Sequence, residues 1–331
     1  MKILSVVIPT YNMEKYLANC LDSFIYDDKV DNIEVLIVND GSKDNSVNIA
    51  KEYEKKFPKI FKLIDKENGG HGSTINAGLK VAKGKYFKVV DADDWVDTSE
   101  FKKLLDFLKG SDVDCVYSNF THIYEQKGDS TELMDKCKGR ENLECKITDI
   151  ESLDFAMHSF VFKTEKIKNI RMQEHCFYVD VEYNIYAFSQ CETIKFLPLN
   201  VYQYRLGRPG QSVSHQGFLK HRENHTTVIK NILKFYDQNR DKIVPYIEKY
   251  ISTVINSQYA FYMFIYFLDK NTILELIDFD SWLKDNYLEF YEKSGTNAIV
   301  RQLRKNNFKK IKNVYRWFKF KRAIKKLLGK D

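Results

Sequence analysis

Within the first 120 residues, short runs of β-branched and aliphatic residues alternate with amphipathic stretches of helical period, and few folds accommodate that alternation. The runs Ile3 to Ile8, Ile33 to Val38, Ile60 to Ile64, Tyr86 to Val90 and Val113 to Ser118 are largely apolar, as in strands buried on both faces. Between them, Glu14 to Phe24, Ser46 to Phe57, Ser73 to Ala82 and Ser99 to Lys109 carry apolar residues at helical spacing, most behind Ser, Thr or Asp starts, and predict helices. Strand and helix in succession predict an α/β fold: a Rossmann-like, mostly parallel sheet with helices on both faces. Open sheets of this kind bind ligands at the carboxyl ends of their strands. The unusual residues of the chain lie at those ends, in Pro9-Thr10-Tyr11-Asn12, Asn39-Asp40-Gly41-Ser42 and Asp91-Ala92-Asp93-Asp94.

Residues 121–215 are mixed, with strands predicted around Phe160 to Lys163, Thr193 to Leu197 and Val201 to Tyr204, and a helix from Val181 to Ser189. From about Gly217 the pattern is helical. The apolar run Ile251 to Leu268 is interrupted by Ser252, Thr253, Asn256, Ser257 and Gln258, which favours a buried or docking helix over a membrane span. These shifts divide the chain into residues 1–215, a helical region 216–296 and a basic tail 297–331. The first apolar run is too short for a signal peptide and stops at Pro9, and six cysteines form no C-x-x-C pair, so free thiols in the cytoplasm are expected. The net charge of +6 is unevenly spread. Residues 301–331 hold thirteen Lys and Arg against one acid, whereas residues 1–300 hold 39 against 45. A nucleic-acid binder would carry basic charge on its core, and this chain does not.

Three carboxylates within four residues, Asp91, Asp93 and Asp94, repel one another at a strand end, and a divalent cation would offset that repulsion. All-oxygen ligands suit Mg²⁺ or Mn²⁺, which keep water and share positions with substrate phosphates. The alternative is a solvated acidic turn leading into the next helix. Asp40, where the second strand ends, can accept from a base N–H or a ribose hydroxyl, and Asp44 either does the same or caps the helix behind it. Asn68-Gly69-Gly70-His71-Gly72-Ser73 sets glycines before a helix start, where backbone can approach an anion; His71 either contacts substrate or satisfies a loop carbonyl. No G-x-G-x-x-G follows the first strand and no P-loop occurs, which argues against a dinucleotide oxidoreductase and a P-loop NTPase.

Ser5-Val6-Val7-Ile8-Pro9-Thr10-Tyr11-Asn12, Val38-Asn39-Asp40-Gly41-Ser42, Asn68-Gly69-Gly70 and Lys83-Gly84-Lys85-Tyr86 running into Asp91-Ala92-Asp93-Asp94-Trp95, in this order and spacing, resemble the family 2 glycosyltransferases of GT-A fold. The resemblance covers roughly residues 1–215. It implies inverting transfer of a hexosyl or N-acetylhexosaminyl group from a nucleotide-diphosphate sugar, with uridine the leading base. It places Pro9, Tyr11, Asp40, Asp44, Gly70, Asp91 and Ala92 around the nucleotide sugar, and Asp93 on a Mn²⁺ or Mg²⁺ ion. Phe177-Tyr178-Val179-Asp180-Val181-Glu182 matches the family's Glu-Asp helix start, with Val179 in place of Glu; Asp180 is the expected base, a cap at worst, and Glu182 the fallback. Tyr202 to His215 resembles the family's mobile diphosphate loop, with Arg208, Gln211 and Ser212 on phosphate and His215 on the metal. The usual Ala-Arg-Asn is Thr74-Ile75-Asn76 here, so an arginine near the nucleotide is absent.

Residues 297–328 interleave apolar side chains such as Val314, Trp317, Phe318 and Leu327 with Lys and Arg, as in helices at a membrane interface, although packing on the catalytic domain explains the pattern too. These expectations describe a peripheral enzyme on the inner face of the cell membrane that moves a sugar from a UDP-sugar to a glycan or lipid-linked acceptor in cell-surface polysaccharide synthesis. The competing reading is a non-catalytic nucleotide-sugar or glycan-binding protein that keeps the fold.

Overall fold

The computed structural model describes residues 2–26, 32–125, 130–208 and 215–327, with backbone alone at 215 and 320–327. Its first part runs β1 (Leu4–Thr10), α1 (Leu17–Asp22), β2 (Ile33–Asp40), α2 (Ser46–Lys56), β3 (Phe61–Lys66), α3 (His71–Val81), β4 (Tyr86–Val89), β5 (Trp95–Val96), α4 (Thr98–Gly110) and β6 (Cys115–Tyr124). There follow β7 (Ser130–Met134), β8 (Glu144–Lys146), β9 (Phe160–Lys163), α5 (Thr164–Ile167), α6 (Asp180–Phe188) and β10 (Thr193–Leu206). Helices complete the chain: α7 (His215–Lys220), α8 (Arg222–Gln238), α9 (Pro245–Ile265), α10 (Thr272–Asn286), α11 (Leu288–Gly295), α12 (Ala298–Lys305) and α13 (Ile311–Leu327).

One sheet has the order β3-β2-β1-β4-β9-β6-β10-β5, with β7 on β6 and β8 on β10. The pairs β3–β2, β2–β1 and β1–β4 are parallel. β1 and β2 are buried along their whole length, which is why their sequences are apolar without alternation. The register pairs Pro9 with Val38 and Asp40 with Lys66, so the carboxyl ends of β1, β2 and β3 finish side by side. Beyond β4 the sheet departs from the parallel pattern: β9 inserts antiparallel between β4 and β6. The two late strands predicted at 193–197 and 201–204 are one strand, β10, with register shifts between Leu197 and Tyr202. β5 follows the acidic turn directly and pairs with Tyr202 and Gln203, which clamps that turn to β10. Asp97 starts α4 by accepting from the amides of Ser99 and Glu100.

The chain divides into one unit of residues 1–210 with 235–246, and another of 211–234 with 247–331. In the first, the α/β core is joined by the end of α8 and the start of α9: Phe235 stacks on Tyr186 at 4.2 Å, and Tyr246 stacks on Phe155 and donates to the Leu153 carbonyl. In the second, α9 buries Ile251, Ile255, Tyr259 and Gln258, so its polar interruptions are accommodated by packing. Arg304 on α12 donates to Asp280 of α10 (2.8 Å), to the Tyr291 carbonyl of α11 (2.8 Å) and to the Tyr259 hydroxyl of α9 (2.8 Å), tying four helices together. No helix among the described residues is long and apolar enough to cross a membrane. All six cysteines are free thiols.

Candidate active site

At the end of β4 the chain turns through Asp91 to Asp94, with the Asp94 amide bonded to the Asp91 carbonyl. The three carboxylates leave this turn in different directions. Asp91 meets His71 Nε2 at 2.9 Å, and its side chain is 32% exposed. Asp93 is paired with Arg208 Nε. Asp94 is buried, accepting from the Tyr202 hydroxyl at 2.5 Å and the Arg205 amide at 2.8 Å. Tyr202 in turn accepts from the Asp91 amide, so one phenol fixes both ends of the turn.

Their protonation follows these surroundings. Burial alone would raise the carboxyl of Asp91, but the hydrogen bond and charge of His71 hold it below its usual range. Burial and the nearby charge of Asp91 push Asp93 up despite Arg208. Asp94 is pushed well up by burial and by both neighbouring carboxylates. Burial lowers His71, and the bond to Asp91 with the charges of Asp91, Asp180 and Asp93 more than offsets it, so His71 is raised.

Asp180 is the first residue of α6, behind Val179, which makes no side-chain cap. Its side chain opens to solvent. The protein packed around it and the charge of Asp91 push its carboxyl up, while His71 and the local amides pull it down less strongly. The segment before it is tightly held: Met172 exchanges backbone bonds with the Asn76 amide group, and the His175 amide donates to the Gly69 carbonyl. His175 and Tyr178 adopt φ of 53° and 65°, a left-handed conformation costly for side chains of this size. Glu182, the fallback base, is instead fully buried and accepts from the Gln173 amide, a structural carboxylate that anchors the same segment.

Several residues expected at the ligand are also bonded within the protein. Asp40 is 3% exposed, and its carboxylate accepts from Lys66 Nζ (2.9 Å), the Gly69 amide (2.8 Å) and the Gly70 amide (2.8 Å). It shapes the glycine turn. Asp44 accepts from the Glu14 amide and from the amide and hydroxyl of Ser46, the first residue of α2, and is held below the usual carboxylate range by those bonds, against the effect of burial. Ala92 packs its methyl in the core and Pro9 lies buried within β1. Tyr11, 46% exposed, stands open at the end of β1. Gly70 takes φ of 82° as it opens α3, a conformation that favours glycine. Gln211 and Ser212 lie outside the described residues, as does the side chain of His215, whose backbone begins α7.

Arg205 escaped the sequence reading. It donates to the Asp93 carbonyl (2.7 Å), pairs with Glu125 and lies over the rings of Trp95 (4.7 Å) and Tyr16 (5.1 Å). Lys66 escaped too, because its role depends on β3 standing in register beside Asp40. Ile75, where the family pattern has arginine, is fully buried. No group of three or more His, Cys, Asp and Glu among the described residues is arranged to hold a metal ion. Asp91 and Asp93 nonetheless supply oxygen donors at one turn, where burial and the Asp91 charge raise the Asp93 carboxyl although Arg208 is paired with it. That donor set suits a cation whose other ligands are water and diphosphate. A depression lined by Phe107, Ser111, Asp112, Val113, Glu144 and Thr193 opens beside the start of β6, at the opposite end of the strands; Asp112 there is engaged by Lys85 and Lys163.

Comparison with known proteins agrees with this architecture. The chain is 29% identical over 214 residues to the uncharacterized glycosyltransferase EpsJ of Bacillus subtilis, 61% of either protein. It is 30% identical over 254 residues to the minor teichoic acid biosynthesis protein GgaB of the same species, matching 72% of this chain and 27% of GgaB. The chain thus spans about three fifths of EpsJ and about a quarter of GgaB. S. aureus TarS 1-349, solved in complex with UDP-GlcNAc, shares the fold at a TM-score of 0.64 and 20% identity, over 96% of this chain and 92% of that one. The profile of Glycosyl transferase family 2 matches residues 5–171, half of the chain, and the chain belongs to that family.

Proposed function

We propose that the protein is an inverting glycosyltransferase that transfers a sugar from a UDP-sugar to a glycan or lipid-linked acceptor in cell-wall or cell-surface polysaccharide synthesis. The observation that carries this reading is His71, which is bonded to Asp91 at 2.9 Å and raised by the charges of Asp91, Asp180 and Asp93, so the carboxylate that begins α6 lies within electrostatic reach of the acidic turn. That carboxylate supplies a base and the turn a diphosphate site. The acceptor hydroxyl gives its proton to Asp180 as its oxygen bonds to the anomeric carbon, and the bond from that carbon to the diphosphate breaks, UDP leaving with the electron pair. A base so placed contributes about 10²- to 10⁴-fold. Asp93, with Asp91 beside it, would hold Mn²⁺ or Mg²⁺. When bound, that ion supplies a Lewis acid that offsets charge on the departing diphosphate. Arg208 brings a guanidinium to the same place, suited to phosphate. Tyr11 and the amides of the glycine turn frame the nucleoside side, and the side chains of Asp40 and Asp44 keep that frame in shape. A teichoic acid protein among the relatives and a UDP-GlcNAc complex of a fold relative support donor and pathway class.

The test is turnover with a panel of UDP-sugars and Mn²⁺. Asp180→Asn should keep the UDP-induced rise in Tm and lose transfer, and Asp93→Ala should lose the metal dependence of both. Undiminished transfer in Asp180→Asn removes the base. Donor binding without hydrolysis or transfer by the wild type would favour the non-catalytic reading.

A further inference from the structure

β6 and β10 run on together beyond the acidic turn, and their register sets Phe120 beside Tyr202, His122 beside Tyr204 and Tyr124 beside Leu206. Because side chains alternate along a strand, Phe120, His122 and Tyr124 share one face of the sheet, and Tyr202, Tyr204 and Leu206 continue it. β7 extends that face on the other side, pairing Met134 with Phe120 and Glu132 with His122. The result is a strip of rings that begins at Tyr202, whose hydroxyl holds Asp94, and leads outward. His158 closes its inner end, lying 4.0 Å from Phe120, 5.0 Å from Tyr202 and 5.1 Å from Tyr204. Exposure rises along it: Phe120 is buried, the His122 side chain is 19% exposed, and Tyr124 and Tyr204 are half-buried. Along the edge, Glu132 accepts from the Tyr124 hydroxyl at 2.9 Å, and that hydroxyl lies 3.3 Å from His122 Nδ1. The strip also adjoins the chemistry, since the charges of Asp94, Asp91, Asp93 and Asp180 all act on the Tyr204 phenol.

A partly exposed cluster of rings, with His122 edge-on to Tyr204 at 5.7 Å and to Tyr124 at 5.8 Å and a carboxylate and a phenol at its rim, is complementary to a pyranose, which presents apolar C–H bonds on its face and hydroxyls at its edge. We propose that the outer half of this strip, Tyr204 and His122 with Tyr124 and Glu132 at the rim, binds a pyranose ring of the acceptor. This rests on the transferase reading above and deepens it, because it assigns the acceptor to the pyranose-bearing glycans, as opposed to chains of polyol phosphate alone. Tyr204 and His122 supply the stacking surface, and Glu132 orients the hydroxyls.

The experiment is saturation-transfer NMR on the full chain with the methyl α- and β-pyranosides of glucose, galactose and N-acetylglucosamine, and with glycerol 3-phosphate as a sugar-free probe. Each probe is titrated with and without saturating UDP. At least one pyranoside should bind saturably and glycerol 3-phosphate should not. Tyr204→Leu and His122→Leu should each weaken the pyranoside by about tenfold, whereas Tyr204→Phe should bind as the wild type does. Unchanged Tm in the leucine variants establishes that they fold. Failure of every pyranoside to bind, or equal affinity in wild type and both leucine variants, overturns the proposal. Absence of any UDP effect on Tm counts against the UDP-sugar donor instead, and the titrations without nucleotide still read the strip.

Discussion

Asp91 and Asp93 stand two residues apart and are shifted in opposite directions, one drawn down by His71 and the other pushed up by burial and by its neighbour. That contrast separates a carboxylate held charged by the imidazole beside it from one that burial and a neighbouring carboxylate push toward the protonated form despite its pairing with Arg208. Asp180 is likewise raised, by the protein packed around it and by the charge of Asp91, and that shift has a sign that can be tested. A base works only when deprotonated, so kcat should fall as pH drops through the raised value, and the acid limb of the profile should lie above the ordinary carboxylate range. A limb at or below that range would remove Asp180 from the proton transfer. His71 works in the other direction: its raised pKa means that its charged pairing with Asp91 is full below the ordinary histidine value and fades as pH rises through the raised one.

At the scale of elements, the turn after β3 is held by Asp40, whose carboxylate satisfies two consecutive amides and the Lys66 ammonium. Replacing it by Ala leaves the Gly69 and Gly70 amides without their acceptor, at about 1–3 kcal/mol each, while Lys66 keeps the Glu67 carbonyl and the Ser73 hydroxyl. Asp40→Ala should therefore lower Tm and abolish the UDP-induced shift together, whereas Asp40→Asn should retain part of both. Loss of the UDP shift at full stability would return Asp40 to direct contact with the nucleotide. Much of this half was legible in the chain, because β1 and β2 are buried on both faces and their continuous apolar runs announce it. The carboxyl-end turns were legible for the same reason. β9 was readable as a strand but not as the antiparallel insert beside β4, since four residues encode no partner. The bonds that Asp40, Asp44 and Glu182 accept from backbone amides were hidden as well, because they depend on register and burial that a single letter does not carry.

For the molecule as a whole, the helical unit depends on a buried ion pair that no local pattern revealed. Arg304 and Asp280 are 15% and 11% exposed and join helices that meet only in the fold. Arg304→Met should cost about 3–5 kcal/mol by stranding the Asp280 carboxylate, measurable as a loss of stability in urea; a change below 1 kcal/mol, about the worth of a surface pair, would place the pair in water. The basic end of the chain is a separate matter. If residues 306–331 hold the protein to a bilayer, their removal should release it from vesicles rich in anionic lipid at low salt while leaving UDP binding intact, and persistent sedimentation with the vesicles would refute the anchor.

The bonds between Gly69 and His175, and between Asn76 and Met172, couple two parts of the machinery that are far apart in the chain. The glycine turn on the nucleotide side and the strained approach to Asp180 share one frame, so displacement of either is transmitted to the other. On the proposed mechanism, donor arrival and proton removal would thereby be geared together, and a mutation that loosens the grip would be felt as mistimed chemistry even with every reacting group in place.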